Sequence, residues 1–232
     1  MKTPPIPFDQ SYLQRIDALE AGEEQLLLLE PQFLQAQDLL FAAAKDLGGS
    51  FDFDIADMRE THIAAALENH VKGKKILDIG CGSTEKYVLE DTFRDRYPPL
   101  MAHMLATLGA KVTGIDIRPN PSAQYDHCVA DVSQSSWLKT IDPPYDIVLC
   151  LSLFNAPESP FEHNQILCKK LMQEIASTIQ PDGLLIATLP EELFPPNGSM
   201  DVWAKNAQGF LGESNLTLVH CGRSMVWATK DQ

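Results

Sequence analysis

Positive charge is what this chain has least of. Its 232 residues carry 18 Lys plus Arg against 32 Asp plus Glu, a formal net charge of −14. A sequence-independent grip on phosphate backbones needs clustered Lys and Arg, and the one dense basic cluster is Lys72, Lys74 and Lys75. Binding to DNA is therefore not expected. Cysteines are few and stand apart, at Cys81, Cys128, Cys150, Cys168 and Cys221. No pair has metal-site spacing, so no metal is expected. Three of them sit in apolar strand-like runs, and all five read as reduced thiols of a cytoplasmic protein. Long apolar runs are missing too. The opening MKTPPIPFDQ has no signal core. The run from Leu26 to Leu29 is far too short to cross a bilayer, so no membrane partner is expected. There is no internal repeat.

What is present suits an ordinary globular core, with 44% apolar residues. The length allows one α/β domain with a helical extension, or two small domains. The organising stretch is residues 74–83, KKILDIGCGS. Ile76, Leu77 and Ile79 read as a short buried strand. It ends in Gly80-Cys81-Gly82, where two glycines one residue apart allow a tight turn and close approach of a ligand. Asp78 beside that turn can hold a polar or cationic group. This is not the dinucleotide fingerprint, because residues 83–86 supply no third glycine.

Helical periodicity dominates the first part of the chain. Residues 1–10 read as a Pro-rich extended arm. Ser11 is placed to cap a helix carrying Leu13, Ile16 and Leu19. Pro31 starts another through Phe33, Leu34, Leu39 and Leu40, ended by Gly48-Gly49. Residues 51–54 read as a loop or short turn. Residues 59–71 read as one more helix with Ile63, Ala66 and Leu67 on one face. These helices are either a lid over a ligand pocket or a cover for a sheet edge.

After Gly82, residues 83–97 are polar and aperiodic. Pro98-Pro99 opens a helix over 100–108, which Gly109 ends. Further strands are predicted over 111–117, within 126–132, over 145–153 and, after a turn at Pro181-Asp182-Gly183, over 184–189. Helices are predicted over 161–179, with Ile166, Leu167, Leu171 and Ile175 on one face, and over 200–211. Residues 216–220 and 224–229 read as a closing hairpin. Strands alternating with helices imply a mainly parallel sheet covered on both faces. The division is a helical extension at 1–70 and a sheet domain at 71–232. In such sheets ligands bind beyond the carboxyl ends of the strands, where strand order reverses. Gly80-Cys81-Gly82, Asp116, Asp131 and Ser152 all fall there.

The order LDIGCGS, VTGIDIR, VADVS, YDIVLCLSLFN and IQPDGLLIATL resembles the class I S-adenosylmethionine-dependent methyltransferases, over about residues 74–230. The resemblance implies a Rossmann-like α/β fold of about seven strands with a C-terminal antiparallel hairpin. It implies S-adenosyl-L-methionine as cofactor and S-adenosyl-L-homocysteine as product. On it, Asp78 and the turn Gly80, Cys81 and Gly82 approach the methionine part. Asp116, with Ile117 beside it, holds the ribose hydroxyls. Asp131 and Val132 flank the adenine, and Leu151 and Ser152 face the reacting sulfonium. A carboxylate with two acceptor oxygens suits a vicinal diol. From Gly82 to Asp116 is 34 residues, where about twenty is usual. Residues 83–97 thus read as an insert, with Tyr97 bordering the methionine or substrate end.

Asp142-Pro143-Pro144-Tyr145 imitates the signature of amino-group methyltransferases acting on nucleic acids. It precedes the fourth strand instead of following it, and so is a decoy. Candidate catalysts are His103, on the helix after the insert, and Asn155 and His163, after the fourth strand. Glu158 follows the same strand, and Glu191 and Glu192 follow the fifth. Trp203, Trp227 and His220 read as structural. The reading is a cytoplasmic methyltransferase acting on a small-molecule substrate, working mainly by alignment. A protein or RNA acceptor, and a cofactor-binding protein without catalysis, stand as alternatives. Residues 51–54 and 83–97 are expected to meet above the sulfonium as a lid.

Overall fold

Aliphatic and β-branched runs become strands, and stripes at helical spacing become the helices that cover them. A computed structural model describes residues 8–9, 11–12, 30–48, 55–84, 98–151, 153–155, 159–161, 163–222 and 225–231. Two helices come first, α1 (Pro31–Asp46) and α2 (Ile55–Leu67), the second running into a 3-10 turn (Glu68–His70). Then follow β1 (Lys75–Ile79), α3 (Leu100–Thr107), β2 (Lys111–Asp116) and β3 (Asp126–Val129). After a 3-10 turn at Ser135–Thr140 come β4 (Tyr145–Cys150), α4 (Gln165–Thr178) and β5 (Ile179–Thr188). A last 3-10 turn (Glu191–Leu193), α5 (Met200–Gly212), β6 (Leu216–Cys221) and β7 (Met225–Lys230) complete the chain.

The seven strands form one sheet in the order β3-β2-β1-β4-β5-β7-β6. The first five are parallel; β7 runs antiparallel to β5 and to β6. The expected mainly parallel sheet with a closing hairpin is present. Side chains alternate across it with the period of two that a strand imposes. On one face Ile76, Ile147, Ile186 and Trp227 pack beneath residues of α1, α2 and α3. On the other, Leu77, Ile79, Val148 and Leu185 pack beneath Trp137, α4 and α5. Asp78, one residue from Leu77, therefore belongs to the face of α1–α3. The described part of the N-terminal arm lies on that side, with the Phe8 ring 5.3 Å from Trp227 and the Tyr12 hydroxyl 2.8 Å from His62 Nδ1.

Several boundaries differ from expectation: β4 ends at Cys150, short of residue 153, and α2 ends at Leu67, short of residue 71. Helix α2 begins at Ile55, before the residue-59 start that the periodicity predicts. Helix α4 begins at Gln165, because Asn164 caps it by accepting the Leu167 N–H at 3.1 Å. Its buried stripe is Cys168, Leu171, Met172 and Ile175, while Ile166 is 84% exposed. Ile166 sits two residues before Cys168, roughly 200° round the helix, and so faces outward. Strand β5 starts at Ile179, ahead of the expected turn. Tyr145 pairs with Ile179 and Ile147 with Leu184, so residues 180–183 loop out as a bulge, with Asp182 at φ 62. The expected turn is there, inside the strand.

Candidate functional site

The strands β3, β2, β1 and β4 are neighbours, and the carboxyl ends of β1, β2 and β3 carry Gly80-Cys81-Gly82, Asp116 and Asp131. Sheet order reverses between β1 and β4, which opens a crevice. Gly80 and Gly82 take φ of 72° and 87°, the left-handed region that glycine enters without strain. The N–H groups of Gly80 and Cys81 both donate to the Ile115 carbonyl, at 2.8 and 3.0 Å, which staples the turn to β2. Leu153, just past β4, stands 3.6 Å from where a Gly80 side chain would begin, so the two loops border each other.

Asp116 ends β2. Its Oδ2 accepts the Gly82 N–H at 3.0 Å and its Oδ1 the Arg118 N–H at 3.0 Å, with Arg118 Nε at 3.6 Å. One carboxylate thus joins the glycine turn to the loop after β2. Ile117 is 59% exposed, a large apolar side chain at the rim beside it. Asp131 lies exposed beyond β3, accepting the Ser133 N–H and the Gln134 side-chain amide, both at 2.9 Å. Hydrogen bonding, first from the Ser133 hydroxyl, holds its carboxyl below the usual range. Val132 is buried in the core, and Leu151 is half-buried at the end of β4.

Asp78 is buried on the face of α3. Pro99, at the cap of that helix, offers no side-chain acceptor, and the first-turn Ala102 N–H donates to Asp78 instead. Burial, and then the carboxylates of Glu60 and Asp116, push its carboxyl up to about 7. Glu60 comes from α2, which nothing in its sequence context singles out.

Cys81 turns its side chain inward, with Sγ 3.7 Å from His127 Nδ1 and 3.9 Å from the Tyr125 hydroxyl. Burial, then the charges of Asp78 and Asp116, push its thiol up, so it stays neutral. Behind the turn runs a network the sequence reading missed. Thr84 donates to Asn120 Oδ1 at 2.8 Å, Asn120 Nδ2 donates to the Tyr125 hydroxyl at 3.0 Å, and His127 Nε2 stands 2.9 Å from the Arg118 carbonyl. One signal was available, Gly114 inside β2. A Cβ there would lie 2.6 Å from Tyr125 Cε2 and 2.8 Å from Cys81 Sγ.

The three candidate catalysts each meet a different partner. His103 is 3% exposed and faces α1, with Nε2 3.6 Å from Asp46 Oδ2. Asn155 donates its amide to the Leu189 carbonyl at 2.9 Å, tying the loop after β4 to the end of β5. His163 Nδ1 meets Glu192 Oε1 at 2.7 Å. Tyr97, Ser152, Glu158, residues 51–54 and residues 85–97 lie outside the described residues. Asp142 and Tyr145 stand at the amino edge, where Lys75 Nζ reaches Asp142 Oδ2 at 2.9 Å and lies 4.9 Å from the centre of the Tyr145 ring. Among the described residues no three His, Cys, Asp or Glu side chains gather to hold a metal, and no helix is long and apolar enough to cross a membrane.

This strand order, with helices on both faces and a closing antiparallel pair, is the fold of the class I S-adenosylmethionine-dependent methyltransferases. No protein-family model matches the chain, and no curated protein matches it. Solved structures do. The MycE methyltransferase of the mycinamycin biosynthetic pathway, in complex with Mg and S-adenosylhomocysteine (SAH), is 13% identical, with a TM-score of 0.54 over 83% of this chain and 53% of that one. Its complex with Mg, SAH and mycinamycin VI is 14% identical, again with a TM-score of 0.54, over 93% and 64%. The N-methyltransferase NodS from Bradyrhizobium japonicum WM9 is 12% identical over 88% and 99%, at a TM-score of 0.43. The chain thus spans between about half and two-thirds of MycE. At these identities the likeness is one of fold.

Proposed function

We propose that this protein is a cytoplasmic methyltransferase that uses S-adenosylmethionine to methylate a small molecule. The observation that carries this is Asp116, fixed at the carboxyl end of β2 by the glycine turn it also fixes. The residues present suit the cofactor. Each Asp116 oxygen accepts one N–H and keeps a second lone pair for a ribose hydroxyl. Ile117 offers an exposed apolar face to the adenine, and Asp131 an acceptor for its exocyclic amine. Asp78, at the turn of Gly80, Cys81 and Gly82, lies on the side of the methionine ammonium, and its charge favours a cation. When bound, the cofactor supplies a methyl group activated by positive sulfur. Leu151, at the end of β4, is the described residue that the resemblance puts toward that centre. Residues 71–232 form the cofactor-binding unit and residues 1–70 its cover. MycE, which shares the fold, was seen with SAH and with mycinamycin VI, a small-molecule ligand.

Calorimetry tests the reading. S-adenosylmethionine and SAH are expected to bind and NAD not to bind; a preference for NAD would overturn it.

A further inference from the structure

We propose that Tyr125 is a positioning residue for the cofactor: through Cys81, Asn120 and Thr84 it holds the glycine turn in the shape that the cofactor meets. This rests on the cofactor-binding reading above. Tyr125 lies in the loop between β2 and β3. Its ring packs, half-buried, against the core on the face of α1–α3. Gly114, inside β2, leaves the room for it. A Cβ there would lie 2.6 Å from Tyr125 Cε2 and 2.8 Å from Cys81 Sγ. With no side chain at 114, the tyrosine ring and the cysteine lie together on the strand backbone.

From Thr84 to Arg118 the polar groups form one directed chain. Asn120 is buried and uses both ends of its amide. Its Oδ1 accepts from Thr84 Oγ1 at 2.8 Å, and its Nδ2 donates to the Tyr125 hydroxyl at 3.0 Å. Burial pushes that hydroxyl well above its ordinary value, so it keeps its proton and donates. Its acceptor is Cys81 Sγ, 3.9 Å away. The thiol in turn has two acceptors, the Gly82 carbonyl at 3.4 Å and His127 Nδ1 at 3.7 Å. His127 Nε2 stands 2.9 Å from the Arg118 carbonyl. A carbonyl only accepts, so Nε2 carries a proton and the neutral ring keeps its lone pair at Nδ1.

These bonds converge on the glycine turn. Gly80 and Gly82 have no side chains to fix them, and glycine has more backbone freedom to lose than any other residue. The turn is instead held from the loop after β2. Cys81 is gripped by its side chain, and the Gly82 N–H by Asp116 Oδ2 at 3.0 Å. Just beyond, Ser83 Oγ donates to the Pro119 carbonyl and Thr84 to Asn120. A turn ordered in advance does not have to be ordered by its ligand, and affinity gains by that difference. Tyr125 stands behind the turn, in contact with Cys81, and acts through it.

The test is calorimetry of the full chain with SAH, with urea unfolding of the unliganded chain run beside it. Tyr125→Phe keeps the ring on Gly114 and removes the hydroxyl, so its Kd should rise about tenfold. Thr84→Val cuts the chain at its outer end, away from the core, and should raise the Kd about threefold. Tyr145→Phe is the matched control. It removes the hydroxyl of another buried tyrosine, at the amino edge, which meets no hydrogen-bond partner among the described residues; its Kd should not change. In an Asp116→Ala background, where the turn is already loosened, Tyr125→Phe should add less than it does alone. An unchanged Kd in both Tyr125→Phe and Thr84→Val, whatever the urea midpoints do, leaves the network structural and overturns the proposal. A Kd that rises as much in Tyr145→Phe overturns it too. Failure of the wild-type protein to bind SAH would instead sink the cofactor-binding reading.

Discussion

The two edges of the sheet use the same residue type in opposite ways. At the amino edge, aspartates meet lysines. Asp146 takes Lys74 Nζ at 3.5 Å, the Lys75 N–H at 2.8 Å and the Gln180 amide at 2.9 Å, and Asp142 takes Lys75 Nζ. At the carboxyl edge, aspartates meet mostly main-chain N–H groups, though Arg118 Nε also lies 3.6 Å from Asp116. Asp116 takes Gly82 and Arg118, Asp131 takes Ser133, and Asp78 takes Ala102. A lysine cancels a carboxylate, whereas an N–H orients it and leaves the charge. The difference separates acids paired with lysines at one edge from acids oriented mainly by the main chain at the other.

The largest effect expected is on stability against pH, at Asp78. Its pKa rises from an ordinary value of about 4 to about 7 on folding. The folded chain therefore keeps a proton that the unfolded chain gives up. Stability falls as pH climbs through that window and levels off above it. Asp78→Asn keeps an acceptor for Ala102 without the charge. Its urea midpoint should exceed that of the wild type by a margin that grows between about pH 4 and pH 7, reaching a few kcal/mol at most. Asp146→Asn, which loses a lysine partner, should lower the midpoint. A margin at Asp78 that does not change with pH would break the contrast.

Next in size is ligand affinity. Asp116→Ala removes hydrogen bonds to a charged group, worth roughly 1.5–3 kcal/mol each, and frees the Gly82 turn. The Kd for SAH should rise about tenfold or more, read by calorimetry, with the fold kept. An unchanged Kd would remove Asp116 from the site.

Packing behind the turn comes third. Gly114→Ala drives a methyl group into Tyr125 and Cys81, costing about 1–3 kcal/mol. Gly209, inside α5, has nothing within 4 Å of an added Cβ. Gly209→Ala should gain about 0.5–1 kcal/mol. Chemical denaturation of both variants checks the difference, and equal midpoints would reject the crowding argument.

These results divide what the sequence can and cannot disclose. Strands such as 76–79 and 145–150 are legible because burial on both faces demands unbroken apolar runs. Once their ends are known, the places of the glycine turn, Asp116 and Asp131 follow, since residues at strand ends inherit strand order. Ile166 misleads because one apolar residue fits two helical stripes equally well until the cap at Asn164 fixes the start. Glu60 and the pairing of His163 with Glu192 depend on where loops return in space, and local pattern carries no trace of that. The network of Asn120, Tyr125 and His127 is hidden for the same reason, apart from Gly114.

The smallest effect expected is at Asp142. Its side chain is 95% exposed and 2.9 Å from Lys75 Nζ, and a pair of that kind is worth about 0–1 kcal/mol. Its signature, Asp142-Pro143-Pro144-Tyr145, stands at the amino edge, across the sheet from the glycine turn. Tyr145 is 1% exposed beneath Lys75, so its ring is already taken up by packing. Asp142→Ala should therefore leave the Kd for SAH as it was. It also uncovers Lys75 beside Lys72 and Lys74, the densest basic cluster in a chain of net charge −14. Even so, one more uncompensated lysine does not make the clustered surface that phosphate backbones require. Duplex DNA is expected to show no salt-dependent binding to the variant. A fall in SAH affinity like that of Asp116→Ala would place the signature in the site after all. DNA binding that weakens steeply with salt would show that the amino edge is held back from nucleic acid by Asp142.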